Sequence, residues 1–325
     1  MKHGFWALGL IIFLSAASAF AEAEEGFVSL FNGKDLTGWT VKGGFATYNV
    51  EDGVIIGRCA PGKPGNTFLC TEKEYANFIL KLEFRFVVMG NSGVQFRSHA
   101  RPQKDSERVF GYQCEIADRV AIGQIYDEGR RAWSYSSRYR NLKRPDDWFA
   151  ADAVRAYKKN EWNAVEIQCI GPSIRTWING IPCANIIDTA TDAGFFGLQV
   201  HAGGAGTLEW RNIEVKELPA TVWKPLEGSL DVTKDFVVRA RLSEEMARKV
   251  CSDSVEKFVK KGENSVVVAA IGNRWVELLN DKEGLDLNDA QAVSDLRNSS
   301  GLSNTKDVQW EYLEITPELR QQIER

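Results

Sequence analysis

The chain has 325 residues, 44% hydrophobic and 26% charged, with a formal net charge of -4. A chain of this size buries one large core and has room for a second small one, while the mild negative charge and the lack of a Lys/Arg stripe argue against a nucleic-acid partner. With 28 glycines, 9 prolines, 10 tryptophans and 17 phenylalanines, it suits an all-β protein that turns often.

The first 21 residues read as a signal peptide. Lys2 supplies the positive end, Phe5 to Leu14 forms an apolar run short for a membrane span, and small residues lead to Ala19-Phe20-Ala21. Cleavage after Ala21 gives a mature chain from Glu22, exported to a periplasm or the cell exterior. No cysteine at that point suggests a lipid anchor, and no later run has the length and apolarity of a transmembrane helix.

From Phe27 to about Leu218 strands dominate. Cys59 and Cys70 flank the loop A-P-G-K-P-G-N between two strand-like runs, and a hairpin there makes them the candidate disulfide. The same stretch, Gly57 to Lys63, has phosphate-loop spacing, but Pro64 stands where Ser or Thr is needed and no helix follows. Phe78 to Phe86 alternates with Phe78, Leu80, Leu82, Phe84 and Phe86 inward. Trp133 to Lys159 reads as a long loop. Strands follow at Trp162 to Cys169, Ile174 to Ile178, Ile181 to Ile186 and Thr207 to Leu218, with Asn179-Gly180 a two-residue hairpin turn. Many short strands without βαβ alternation predict a mainly β fold, an antiparallel jelly-roll sandwich.

The pattern changes after Pro219. Helical periodicity over Ser243 to Lys261, a second helix near Asn288 to Arg297, and strands at Phe236 to Leu242, Ser265 to Ile271 and Val308 to Ile315 predict a small α+β accessory domain over 219–325. It carries no motif with a chemical reading.

Three segments of the sandwich share one pattern: Gln95 and Arg97 in N-S-G-V-Q-F-R, Gln113 and Glu115 in G-Y-Q-C-E-I, and Gln199 and His201 in L-Q-V-H. Side chains alternate across a sheet, so Val94, Phe96, Tyr112, Cys114, Ile116, Leu198 and Val200 take the core face and the polar pairs the other. An ordinary solvated face carries Lys, Thr and Ser; amides, Arg, Glu and His three times over suggest a site. Glu115 with Asp118 fails as a glycosidase dyad, because residues three apart on a strand face opposite ways. No cofactor is identified. Only His99 and His201 outlast signal removal, which disfavours zinc, whereas a calcium or other divalent site of Asp, Asn and carbonyl oxygens leaves no readable spacing.

L-F-N-G-K-D-L-T-G-W, N-S-G-V-Q-F-R, G-Y-Q-C-E-I-A-D, G-Q-I-Y-D-E, E-W-N, and L-Q-V-H with W-R-N-I occur in that order. Together they resemble the 3-keto-disaccharide hydrolase family over about residues 27–218. The resemblance implies a concanavalin A-like jelly roll that cleaves glycosides already oxidised at carbon 3, with a sugar 3-dehydrogenase as functional partner. The commoner family spelling is G-Y-E-x-Q; here Gln113 comes first and Glu115 second, moving the carboxylate by about 6.5–7 Å along the strand.

A ketone at carbon 3 acidifies the hydrogen on carbon 2. Removal of that hydrogen expels the carbon-1 oxygen by β-elimination, and water adds back. On this reading Glu115 is the base, Arg97 stabilises the enolate, and His201 or Asp127 protonates the leaving oxygen. Gln95, Gln113, Tyr126 and Gln199 hold hydroxyls. The ordinary alternative for Asp127 is a salt bridge to Arg130 or Arg131. Rival readings are a carbohydrate-binding module on the same fold and a conventional glycosidase, the latter weakened by the single carboxylate on the Glu115 face.

Overall fold

The structure is a computed structural model that describes residues 26–88, 90–104, 106–117, 121–130, 132, 154–188, 190–227, 236–242, 265–267 and 308–324. The leader, Asp118, most of the long loop and both expected C-terminal helices lie outside them.

In chain order the strands are β1 (Val28–Ser29), β2 (Trp39–Gly43), β3 (Thr47–Glu51), β4 (Val54–Arg58), β5 (Thr67–Thr71), β6 (Phe78–Val88), β7 (Ser92–Gln103), β8 (Ser106–Ile116) and β9 (Ile125–Glu128). There follow β10 (Asn163–Ile170), β11 (Ser173–Ile178), β12 (Ile181–Ile187), β13 (Phe195–Val200), β14 (Thr207–Glu217), β15 (Lys224–Pro225), β16 (Phe236–Leu242), β17 (Ser265–Val267) and β18 (Val308–Glu314). A terminal helix, α1, spans Pro317–Glu324.

These strands form an antiparallel jelly-roll sandwich. One sheet runs β12-β11-β10-β6-β14-β4-β3 with β1 also on β14, and the other runs β2-β5-β13-β7-β8-β9. Strand β6 shows why: it buries Phe78, Leu80, Leu82, Phe84 and Phe86 and leaves Lys81, Glu83 and Arg85 half-exposed, the two-residue period of a strand with one face in the core. Asn179 and Gly180 close the β11–β12 hairpin with φ of 49° and 78°, the double positive φ of a turn matched to strand twist.

The two inner faces share one apolar cluster, to which β6 brings its phenylalanines and the second sheet brings Val94, Phe96, Tyr112, Cys114 and Leu198. Gly57 makes space in it, since a Cβ there would come 2.7 Å from the Trp210 ring. Tyr48 ties the layers together by donating its hydroxyl to Leu198 O at 2.7 Å and Thr67 O at 2.9 Å.

Cys59 and Cys70 do not form the expected disulfide, and both are free. The chain between them is no hairpin. β4 pairs with β3 and β14 in the first sheet, while β5 pairs with β2 and β13 in the second, so the Gly/Pro-rich loop carries the chain from one layer to the other. Cys59 donates its thiol to His201 O at 3.4 Å, and Cys70 is buried on the outer face of the second sheet.

Beyond Pro219 a third sheet runs β15-β18-β16-β17, made from the strands expected near Phe236, Ser265 and Val308. Leu226 and Trp310 belong to the same buried cluster as the sandwich core, and Leu313 approaches the bare backbone of Gly171, where a Cβ would lie 3.0 Å from Leu313 Cδ2. Trp310→Ala should therefore destabilise the sandwich itself by about 3–5 kcal/mol. Chemical denaturation followed through the core tryptophans measures this, and an unchanged main transition would show that the third sheet contributes nothing to it.

Candidate functional site

Three neighbouring strands, β13, β7 and β8, build the polar face. Gly197 pairs with Gln95 and Gln95 with Gln113, and Gln113 pairs with Tyr126 of β9. One row along, Gly93 pairs with Glu115. Because paired residues across an antiparallel ladder point the same way, Gln95, Gln113, Glu115, Tyr126 and Gln199 share the outer face of the second sheet.

Their side chains form one hydrogen-bonded chain. Asn91 Nδ2 donates to Glu115 Oε1 at 2.6 Å, and Gln113 Nε2 donates to Glu115 Oε2 at 2.9 Å. Gln113 Oε1 accepts from Gln95 Nε2 at 2.7 Å and Gln199 Nε2 at 3.0 Å, and Ser98 Oγ donates to Gln95 Oε1 at 2.7 Å. Gln95, Gln113, Glu115 and Gln199 are all buried, the carboxylate residue being 3% exposed. Gly93 permits this packing, because a Cβ there would sit 2.3 Å from Gln113 Cδ.

Arg97 is not in this site, contrary to the sequence expectation. It has φ of 45°, and the β7–β8 register slips between Phe96 and His99, so a β-bulge breaks the alternation that would have aligned it with Gln95. Its guanidinium crosses toward the other sheet, donating to Gly171 O at 2.6 Å, Ala76 O at 2.8 Å and Asn77 Oδ1 at 3.2 Å. The core thiol of Cys169, pushed up to about 12 by burial, feels the opposing pull of this cation. Gly111 and Gly194 accommodate the bulge: a Cβ on either would come within 2.4 Å of Ser98 atoms.

Asp127 is also misplaced by the sequence reading, for a reason readable beforehand. It adjoins Tyr126 on a strand, so the two cannot share a face. Asp127 pairs with Tyr112 on the inner side and accepts from Arg130 Nε at 2.6 Å, both side chains being fully buried. His201 lies exposed just beyond β13, its Nδ1 2.7 Å from Ala202 O, at the rim and outside the amide chain.

Sequence reasoning missed Asn91, Ser98 and Glu128. Counting back by twos from Gln95 through Gly93 reaches Asn91, and counting forward from Tyr126 reaches Glu128, so period two could have found both. Ser98 enters only because the bulge shifts it. Glu128 pairs with Gly111 and binds Arg108 at 2.5 Å. Burial first, then the Glu128 carboxylate, raises the Tyr126 phenol pKa; Arg108 opposes this and Glu115 adds to it. Tyr126 therefore stays protonated, a donor within the field of Glu115. Among the described residues no cluster of three or more His, Cys, Asp or Glu has a metal-binding arrangement.

The bulge has a second effect. Beyond it the β7–β8 hairpin folds back across the outer face: Val109 joins Phe68, Cys70 and Phe195 in a separate buried cluster with Ala100 against it. At the tip, Ser106 Oγ donates to Gly43 O at 2.8 Å and Lys42 pairs with Glu107 at 2.9 Å, although β2 and β8 are not sheet neighbours. This arm covers Phe68, Cys70 and Phe195 on the outer face.

Two measurements test these placements. Arg97→Met should lower the unfolding free energy by about 2–4 kcal/mol, because it removes three hydrogen bonds from a buried cation; unchanged stability with lost activity would return Arg97 to the site. Glu107→Lys should loosen the arm and speed peptide-resolved thiol labelling of Cys70 by about threefold to tenfold, in line with the modest worth of an exposed ion pair. Labelling at the wild-type rate would mean the latch does not hold the arm.

A glycosyl hydrolase candidate from Parabacteroides distasonis ATCC 8503 aligns at 20% identity and a TM-score of 0.41, covering 60% of this chain and 95% of that one. A second such structure from the same organism gives 20% identity, a TM-score of 0.38 and coverage of 59% and 99%. The carbohydrate-binding module CBM66 from Bacillus subtilis gives 15%, 0.35, and 55% and 96%. No curated protein matches. The model of the 3-keto-alpha-glucoside-1,2-lyase-like domain matches residues 26–216, the whole sandwich with its amide-lined face, and the chain belongs to that family.

Proposed function

We propose that this protein cleaves glycosides bearing a ketone at carbon 3, by proton abstraction at carbon 2, β-elimination and addition of water. The domain is carbohydrate-hydrolase-like; the observation that carries the finer reading is Glu115, buried on the outer face and oriented by one amide on each oxygen. A carboxylate so fixed suits a base that must meet one C–H bond.

Glu115 takes the carbon-2 proton, and the electron pair left behind moves toward the ketone as an enolate. Tyr126, held protonated, is the donor on this face for the charge that develops there, the role that Arg97 cannot fill. The enolate collapses, the carbon-1 to oxygen bond breaks, and the departing oxygen takes a proton at the rim, where His201 stands. Water then enters and adds its oxygen to carbon 1, one of its protons restoring the rim acid, while Glu115, having exchanged its proton with the entering solvent, returns one to carbon 2, so the net reaction is hydrolysis. Export through the leader and supply of the keto-sugar by a sugar 3-dehydrogenase belong to the same proposal. A conventional glycosidase is less well supported: the Glu128 row lies four residues of β8 from Glu115, about 13 Å, whereas paired glycosidase carboxyl groups stand about 5–9.5 Å apart.

Hydrolysis of a 3-keto-glycoside in heavy water should place deuterium at carbon 2 of the released sugar, after correction for spontaneous exchange. Glu115→Gln should lower turnover by about 100-fold to 10,000-fold. Cleavage without deuterium at carbon 2, or an unimpaired Glu115→Gln enzyme, would sink the mechanism, and no turnover by either protein would favour a binding module.

A further inference from the structure

Gln199 holds a buried polar atom that the proposed chemistry has not used. The residue is 1% exposed, and its Oε1 has no hydrogen-bond partner among the described residues. An unsatisfied acceptor at such a depth is costly in a native protein and calls for an explanation.

The amide chain explains the direction in which that atom points. An ionised carboxylate only accepts, so Glu115 Oε2 requires the Nε2 side of Gln113. Gln113 then presents Oε1 to its other neighbours and demands donors from both Gln95 and Gln199. Gln95 can comply without loss, since its own Oε1 accepts from Ser98. Gln199 complies at the cost of an orphan: with Nε2 committed to Gln113, its Oε1 faces away as an acceptor. The polarity set at Glu115 is thus handed through two amides to an atom two strands distant, about 10 Å between columns. Gln113's amide lies over Gly93 between them.

We propose that Gln199 Oε1 accepts a hydroxyl of the bound sugar, and that the site thereby demands a donor at one ring position rather than merely tolerating it. The inference rests on the sugar-binding reading of the face and not on the elimination mechanism. A ketone, an ether or fluorine cannot supply the proton, so the residue discriminates between an unmodified hydroxyl and an oxidised or substituted one.

Non-cleavable 3-keto C-glycosides test this by calorimetry without requiring turnover, comparing the parent with analogues carrying fluorine in place of the hydroxyl at carbon 2, 4 or 6. One analogue should bind wild-type protein about 10-fold to 100-fold more weakly than the parent. Gln199→Met, which removes the acceptor while Gln113 Oε1 keeps its bond from Gln95, should abolish that gap. Equal binding of all three analogues and the parent, persistence of the gap in Gln199→Met, or no binding of any of these sugars would overturn the inference. If Gln199→Met fails to fold, the wild-type series alone decides. Loss of activity with hydroxyl-dependent binding intact would remove the catalytic reading and leave this one standing.

Discussion

The bulge at Arg97 and Ser98 is the local feature on which both the site and its cover depend. Up to Phe96, β7 keeps the two-residue period that turns Val94 and Phe96 inward and Gln95 outward. One extra residue then breaks the count. Arg97 swings to the opposite sheet and tethers Ala76, Asn77 and Gly171, Ser98 slips into the place beside Gln95, and the rest of the hairpin bends over the sheet. Glycines at 111 and 194 let the backbone through. A regular strand at this point would have set Arg97 opposite Gly111, in the row of Glu128, and left the outer face uncovered.

Neutral amides organise the site. A buried carboxylate is stable only when its charge is answered by hydrogen bonds or a partner, and here Asn91 and Gln113 answer one oxygen each. Each of these amides fixes one oxygen of the carboxylate in direction. They also transmit direction, since an amide has one accepting and one donating end. Two described cations nearby pair with other carboxylates, Arg130 with Asp127 and Arg108 with Glu128.

The third sheet is not an appendage on a flexible tether in energetic terms. Leu226 and Trp310 lie in the same apolar cluster as Phe78 and Leu82, so the residues beyond the family-matched segment help close one end of the sandwich core. The cysteines fit the same economy. With a core of this size no disulfide is needed for stability, and Cys114 and Cys169 pack as small buried hydrophobes.

By itself the sequence determined the elements governed by local periodicity. Alternation placed β6, β10 to β14 and β16 to β18 nearly where they lie, Asn179-Gly180 declared its turn, and the spacing of Gln95, Gln113, Glu115 and Gln199 declared a shared face, because a strand's side-chain period is a local property of the backbone. The same arithmetic applied strictly would have excluded Asp127 and found Asn91 and Glu128. Tertiary structure alone decided the rest. Whether a strand carries a bulge depends on neighbours such as Gly111 and Gly194, which are distant in sequence. Whether Cys59 and Cys70 share a hairpin depends on which sheet each strand joins. The buried orphan at Gln199 exists only once three strands have brought their amides into register, since hydrogen-bond polarity belongs to the assembled network and to no single segment of the chain.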